Sequence, residues 1–387
     1  MVAQTSRSVD YLSLWPDSSR FKAASEERRR GVCYTMPGLK SEKLLNVPTS
    51  DEAKQCYDNH FCRPDAELNI RGLKMLISSC HLEVAVNATT VLLSQMGQGE
   101  GKAGKPSTIT PLHAEIWGIR FQLLMALKLY SQLVEELQPF GELDAPDLCY
   151  QYYSESNEKT GSLIPFSMRL IHAEVLRFTP FPWKAVERVK RLELDVNKAI
   201  MLVCSLNATE DTISAWHQRL TVVQKMYARV LFFLGEYVLS LRTFYTILNT
   251  SFVANPTALL EAMFRMALSV GDEKAANKML ECVSKSTSTQ PCLLKAFRSL
   301  FLGAFPHAQE YLQRISRSSG ENDTTLNSVA ICLLYNGKVS DAVEVYAKFI
   351  QNSSEPLYAN LKAMSELGCS AATKNVLLNE FSKRKTV

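Results

Sequence analysis

Glycine and proline are scarce, at 16 and 15 of 387 residues, against averages of roughly 7% and 5%. An all-β sandwich or barrel of this length needs far more turn and left-handed positions, so a mostly helical chain is expected. A dominant charge is missing as well. The 43 Lys and Arg against 39 Asp and Glu leave a net +4, small and scattered, which excludes a nucleic-acid-binding signature. With 21% charged and 46% hydrophobic residues, wholesale disorder is excluded too. The longest apolar runs, 230–234 and 330–335, fall far short of the ~18 residues that span a bilayer. The opening MVAQTSRSVDYLSLWPD lacks the apolar stretch of a signal peptide. The ten cysteines form no C-x-x-C pair and no framework spacing, which fits reduced, buried thiols in a cytoplasmic protein. On that reading the N-x-S/T sequons at Asn87, Asn207, Asn249, Asn322 and Asn352 carry no glycan.

What is present is a period. Four turns, each following an apolar segment, begin at Gly235, Gly271, Gly303 and Gly337, spaced 36, 32 and 34 residues apart. A repeat near 34 residues, made of helix, tight turn and second helix, is the tetratricopeptide arrangement. A finer pattern supports it. Ala228 and Ser240, Ala296 and Ala308, and Ala330 and Ala342 stand seven before and five after a turn glycine. Small side chains there let two helices pack at the short end of the usual 8–10 Å separation. The second unit departs from this, with Phe264 opposite Ala276. Earlier hairpins follow less cleanly: 68–77 with 82–94, 115–127 with 131–137, and 169–178 with 181–192, the last carrying Ala173 and Ala185. Trp117 sits where this repeat often carries tryptophan. A degraded pair, 357–367 and 371–381, has the polar positions of a terminal cap. The expected fold is all-α: a tetratricopeptide-like right-handed α-solenoid of about seven helix hairpins plus a C-terminal cap, over residues 66–387. Residues 1–65 hold a charge run and four prolines without a sustained period, so a weakly ordered segment is expected there. Insertions are expected at 97–110, as a glycine-rich loop, and at 138–163. A lengthened helix should continue from Leu192 towards Cys204.

Signals for chemistry fail on spacing. Gly97-x-Gly99-x-Gly101-Lys102 resembles a Walker loop. Yet Met96 stands where its first glycine belongs, Ala103 replaces the hydroxyl that would ligate magnesium, and the preceding segment is helical. Cys56, His60, Cys62, Cys80 and His81 are close in sequence, but no zinc finger or ribbon has their intervals. None of the six histidines adjoins a nucleophile motif, and His172, beside Ala173, reads as a packed residue. The carboxylate clamp that grips chaperone tails is also missing: Lys225 fits, but Arg229, Ala262 and Leu294 occupy its other positions. No enzyme activity, cofactor or metal is expected, and large protein partners remain.

From Gly141 onward the sequence becomes specific. The stretches PFGELDAPDL (139–148), YQYY (150–153), GSLIPFSMR (161–169) and HAE (172–174) resemble the subunit-twelve family of the transport protein particle (TRAPP) complex. GQGEGK, IWGIRFQLLMALKLY and NSVAICLLYNGKVSDAV are similar to the same family in the same order. Family members often have a long low-complexity N-terminal region; here only about 65 residues precede the repeats, and 154–160 diverges. The resemblance implies a non-catalytic structural subunit of the metazoan TRAPP III complex, a nucleotide exchange factor for a Rab GTPase. Exchange activity would belong to a small-subunit core, while this subunit would join the large subunits 8, 11 and 13. Roles in endoplasmic reticulum to Golgi transport, Golgi organisation and autophagy are implied. So is a cytoplasmic location, peripherally attached to ER–Golgi intermediate and Golgi membranes through the complex, with no nucleic acid and no membrane insertion. The alternative is a free-standing tetratricopeptide adaptor or co-chaperone that binds peptide segments. Within the distinctive block, Asp144, Asp147, Tyr150, Tyr152, Tyr153 and Arg169 are candidate partner contacts, since Tyr and Arg are favoured anchors. The other reading of the block is a loop that folds back over the repeats and covers a groove.

Overall fold

In a computed structural model of the chain, the described residues are 10–17, 22–23, 36–45, 66–79, 81–153, 160–250, 255–285, 291–319, 322–348 and short stretches of 360–376. Their regular structure is helical, with an isolated antiparallel bridge from Cys149 to Ser162 and no strand among them. They fall into two compact units, one of described residues up to 250 and one from 255 onward.

The first unit contains four hairpins. Helices α1 (Ile70–Ser78) and α2 (Leu82–Gln95) form the first, and α3 (Pro111–Ala126) and α4 (Tyr130–Leu137) the second. The third joins α5 (Phe166–Glu174), which tightens into a 3-10 turn at Val175–Phe178, to α6 (Trp183–Ser205). The fourth joins α7 (Glu210–Phe233) to α8 (Tyr237–Leu248). The second unit holds three: α9 (Pro256–Val270) with α10 (Glu273–Lys285), α11 (Pro291–Phe301) with α12 (Phe305–Ser319), and α13 (Asp323–Tyr335) with α14 (Val339–Lys348). All seven expected hairpins are found. The lengthened helix is α6, which runs to Ser205 before Asn207 turns left-handed. The expected cap lies mostly outside the described residues, with 363–367 and 374–376 helical.

Local chemistry sets the helix starts. Asn69, Thr110, Thr209, Asn255 and Asn322 each accept a hydrogen bond from the backbone N–H three residues on, satisfying a donor that the first turn leaves orphaned. Proline follows at 111 and 256, where no N–H is needed. The repeat turns close on Gly235, Gly271, Gly303 and Gly337, with φ between +71° and +85°, a region costly for residues with a Cβ.

The small-residue pairs lie where the hairpin helices meet. Ala173, Ala185, Ala228, Ser240, Ala296, Ala308, Ala330 and Ala342 are all buried. Ser240 goes further: its hydroxyl donates to the Ala228 carbonyl at 2.7 Å, tying α8 to α7. The exceptional Phe264 is fully buried, as is Ala276, so the larger ring is accommodated inside the second unit.

Two segments before α1 are held against the first unit. Met36 and Leu39 are buried, and backbone bonds run from Met36 N to Lys105 O at 2.8 Å and from Leu39 N to Gln98 O at 3.0 Å. Gly38 lies so close to the 97–105 loop that a Cβ would come within 2.6 Å of Ala103 N. The glycine-rich stretch therefore packs against its own chain. Cys56, His60, Cys62 and Cys80 lie outside the described residues; among those described, no group of three or more His, Cys, Asp or Glu could hold a metal ion.

Candidate partner-contact site

The described part of the insertion at 138–163 contains three 3-10 turns, at Gln138–Phe140, Pro146–Leu148 and Tyr150–Tyr152. Pro139 and Pro146 preset φ for the first two. Gly141 takes φ +56° and ψ −132°, a conformation suited to glycine. The far side returns alongside, with Tyr150 N donating to Gly161 O at 3.0 Å and Leu163 N to Leu148 O at 2.9 Å. Phe140, Leu143, Leu148, Leu163 and Ile164 all join the core formed with α1 to α5.

The six residues singled out in this block divide by environment. Asp147 is buried and accepts from the Ser107 hydroxyl. The Tyr153 hydroxyl donates to Asp147 O at 2.9 Å and accepts from Ile109 N at 3.2 Å, bridging the two insertions. Burial, with Asp147 beside it, pushes the Tyr153 phenol pKa up. Arg169, on α5, is buried and donates to the Ser162 hydroxyl at 2.6 Å and to Leu143 O at 3.3 Å. Asp144, Tyr150 and Tyr152 are half-buried. Asp144 lies 3.8 Å from Arg191 of α6, and Tyr152 meets Tyr153 edge to face, ring centroids 4.9 Å apart.

Arg169 also connects to a segment that periodicity does not reveal. Its guanidinium stacks 3.8 Å from the Trp15 ring centroid, and Trp15 lies 6.4 Å from Trp216 of α7. Burial lowers the Arg169 pKa to about 10, which still leaves it charged at neutral pH. The neighbouring Cys149 thiol is raised to about 11, again by burial, so it is not a reactive thiolate. A groove of ≈ 340 Å³ opens beside Trp15, walled partly by Asp144, Arg169, Arg191 and Lys198. The signal that could have exposed this site is a Trp-Pro pair, Trp15-Pro16, standing alone in an unpatterned stretch.

Next to the groove, Glu142 receives Arg188 at 2.7 Å. Burial alone would raise the Glu142 pKa, but the Arg188 hydrogen bond and charge outweigh it and the net shift is downward. His172 is buried and bonds Gly141 O through Nε2 at 2.9 Å, consistent with a packed histidine. Burial, and then Arg188, lower its pKa to about 4. At the clamp positions, Leu294 is buried in the second unit and Arg229 is 3.4 Å from Glu174 in the first.

One polar cluster had no visible sequence signal. Arg120 of α3 and Glu136 of α4, both 1% exposed, pair bidentately at 2.6 and 2.7 Å. The remaining Arg120 nitrogen donates to Thr89 and Thr90 of α2 at 3.0 and 2.8 Å.

These features define a helix-hairpin repeat protein of tetratricopeptide type, with a folded insertion and a docked segment before its first hairpin. No protein-family profile matches the chain. It is similar to trafficking protein particle complex subunit 12 of Mus musculus, 29% identical over 369 residues, covering 87% of this chain and 46% of the mouse protein. The subunit of the same name from Homo sapiens matches at 29% over 369 residues, with 50% of it covered. The resemblance drawn from the sequence is thus borne out along most of the chain, which spans about half the length of these curated relatives. Among solved structures, a tetratricopeptide repeat protein from Parabacteroides merdae ATCC 43184 matches at 8% identity and TM-score 0.42, covering 81% of this chain and 96% of that one. The P58(IPK) TPR domain matches at 10% identity and TM-score 0.20, with the same shares covered, 81% and 96%.

Proposed function

We propose that the chain is a non-catalytic structural subunit of a trafficking protein particle complex, offering surfaces that other subunits grip. The observation that carries this reading is the similarity to subunit 12 of the mouse and human particles, 29% over 369 residues. Physical support comes from the hairpin tips of the second unit. Val270, Phe301 and Leu302 are 45–50% exposed beside the turn glycines Gly271 and Gly303, which makes these tips candidate contacts for a partner. In the first unit, Asp144, Tyr150 and Tyr152 are the insertion residues suited to outward contact, while Asp147, Tyr153 and Arg169 hold the insertion in shape.

On the finer reading, the assembly is TRAPP III, and this subunit joins the large subunits 8, 11 and 13. Nucleotide exchange on the Rab GTPase then belongs to the small-subunit core. The chain acts in ER-to-Golgi transport, Golgi organisation and autophagy as a cytoplasmic protein peripheral to ER–Golgi intermediate and Golgi membranes. No described helix is long and apolar enough to cross a membrane. The test is affinity purification of the chain at native levels followed by mass spectrometry. Stoichiometric particle subunits are expected; chaperones in their place would favour the free-standing adaptor.

A further inference from the structure

We propose that the groove holding residues 10–17 is a peptide-binding site, filled here by the chain's own segment and able to take a partner peptide that presents a tight turn followed by Leu-Trp. The groove reads three successive carbonyls of that segment with donors from elsewhere in the unit. Trp216 Nε1 donates to Tyr11 O at 3.1 Å, Arg219 Nη1 to Leu12 O at 2.8 Å, and Ser162 N to Ser13 O at 2.9 Å. Such contacts recognise a backbone shape and are indifferent to side chains.

Selectivity comes from the next two residues. Leu14 and Trp15 pack on the α6–α7 core, with the indole 3.8 Å from the Arg169 guanidinium and 6.4 Å from the Trp216 ring. Gly161 completes the cleft. A Cβ there would come within 2.3 Å of Ser13 O, so only glycine admits the guest backbone.

The guest is also preorganised by itself. The Asp10 carboxylate accepts from Leu12 N at 3.1 Å, and Asp10 O accepts from Ser13 N at 3.1 Å and from the Ser13 hydroxyl at 2.9 Å. A turn closed by its own aspartate forms in a short peptide at low entropic cost. Every groove donor lies about 150 to 200 residues further along the chain, so the same contacts are open to a peptide that is not covalently joined. The space beyond Trp15 is lined by Asp17, Asp195, Arg191 and Lys198. Its charge is mixed, and the tryptophan slot sets specificity. This inference stands apart from the assembly reading, because it concerns a groove and its ligand and needs no particle subunit.

The test uses the full chain and a fluorescently labelled peptide of residues 10–17, DYLSLWPD. The Trp15→Ala chain, whose own segment has lost its anchor, is expected to bind the peptide saturably. The unaltered chain should bind at least tenfold more weakly, because its tethered segment competes at high effective concentration. Adding Arg219→Ala to the Trp15→Ala chain should weaken binding at least tenfold, and a peptide with alanine at the tryptophan position should not bind. If Trp15→Ala lowers helical ellipticity, excess peptide should restore it. Absence of both saturable binding and restoration overturns the proposal. A dimer of the unaltered chain that becomes monomeric in Trp15→Ala also overturns it, because the occupant would then be a second copy.

Discussion

Arg120 and Glu136 show how much depends on single side chains. Their charges are removed from water completely, and two threonine hydroxyls and a bidentate pairing compensate. Breaking one partner strands the other, which typically costs about 3–5 kcal/mol. Arg120→Ala or Glu136→Ala should therefore lower stability by roughly that amount in urea titration, while Arg120→Met with Glu136→Leu should cost less than either. His172 makes a pH-dependent contribution. With a folded pKa near 4 against 6.5, the unfolded chain binds the extra proton between those values. Stability from this site is thus present above about pH 6.5 and falls as pH drops towards 4. Thermal midpoints measured across that window should decline less steeply in His172→Gln. Neither Arg120 nor His172 announces its partner in the sequence. Charged residues are ordinarily exposed, and for the same reason Asp147 and Arg169 read as surface anchors although the fold encloses both.

The hairpins, by contrast, were legible because their determinant is local and periodic. A small residue recurs on each side of a turn glycine, and the geometry of two close helices demands it at a fixed interval. Ala308→Leu, at a fully buried crossing, should cost about 1–3 kcal/mol or more by overpacking. Ser240→Ala should cost about 0.5–1.5 kcal/mol, since only its bond to Ala228 O is lost. Differential scanning calorimetry distinguishes the two. Helix starts were less legible: α3 begins at Pro111, where the apolar pattern alone suggests 115, because Thr110 and Pro111 set the first turn. The insertion could be named but not shaped. Its fold depends on Tyr153 bridging residues from two separate loops, a relation with no period to betray it.

For the molecule as a whole, the hairpin tips offer a test that separates folding from assembly. Val270→Ser, Phe301→Ser and Leu302→Ser together alter exposed positions in the second unit. Exposed substitutions usually change stability by less than about 0.5 kcal/mol each, so helical ellipticity and the thermal midpoint should be retained. Co-purification with other particle subunits should fall at least several-fold; unchanged recovery would remove the tips from the contact surface.

The tie between Tyr11 and Trp216 links residues 205 apart in the chain. On the ribosome, the segment emerges about two hundred residues ahead of its cleft. At synthesis rates of roughly 5–20 residues per second, that is a delay on the order of 10–40 s. Throughout that interval Leu14 and Trp15 have no native berth, so the nascent chain carries an adhesive stretch that stays unshielded until α7 has been made.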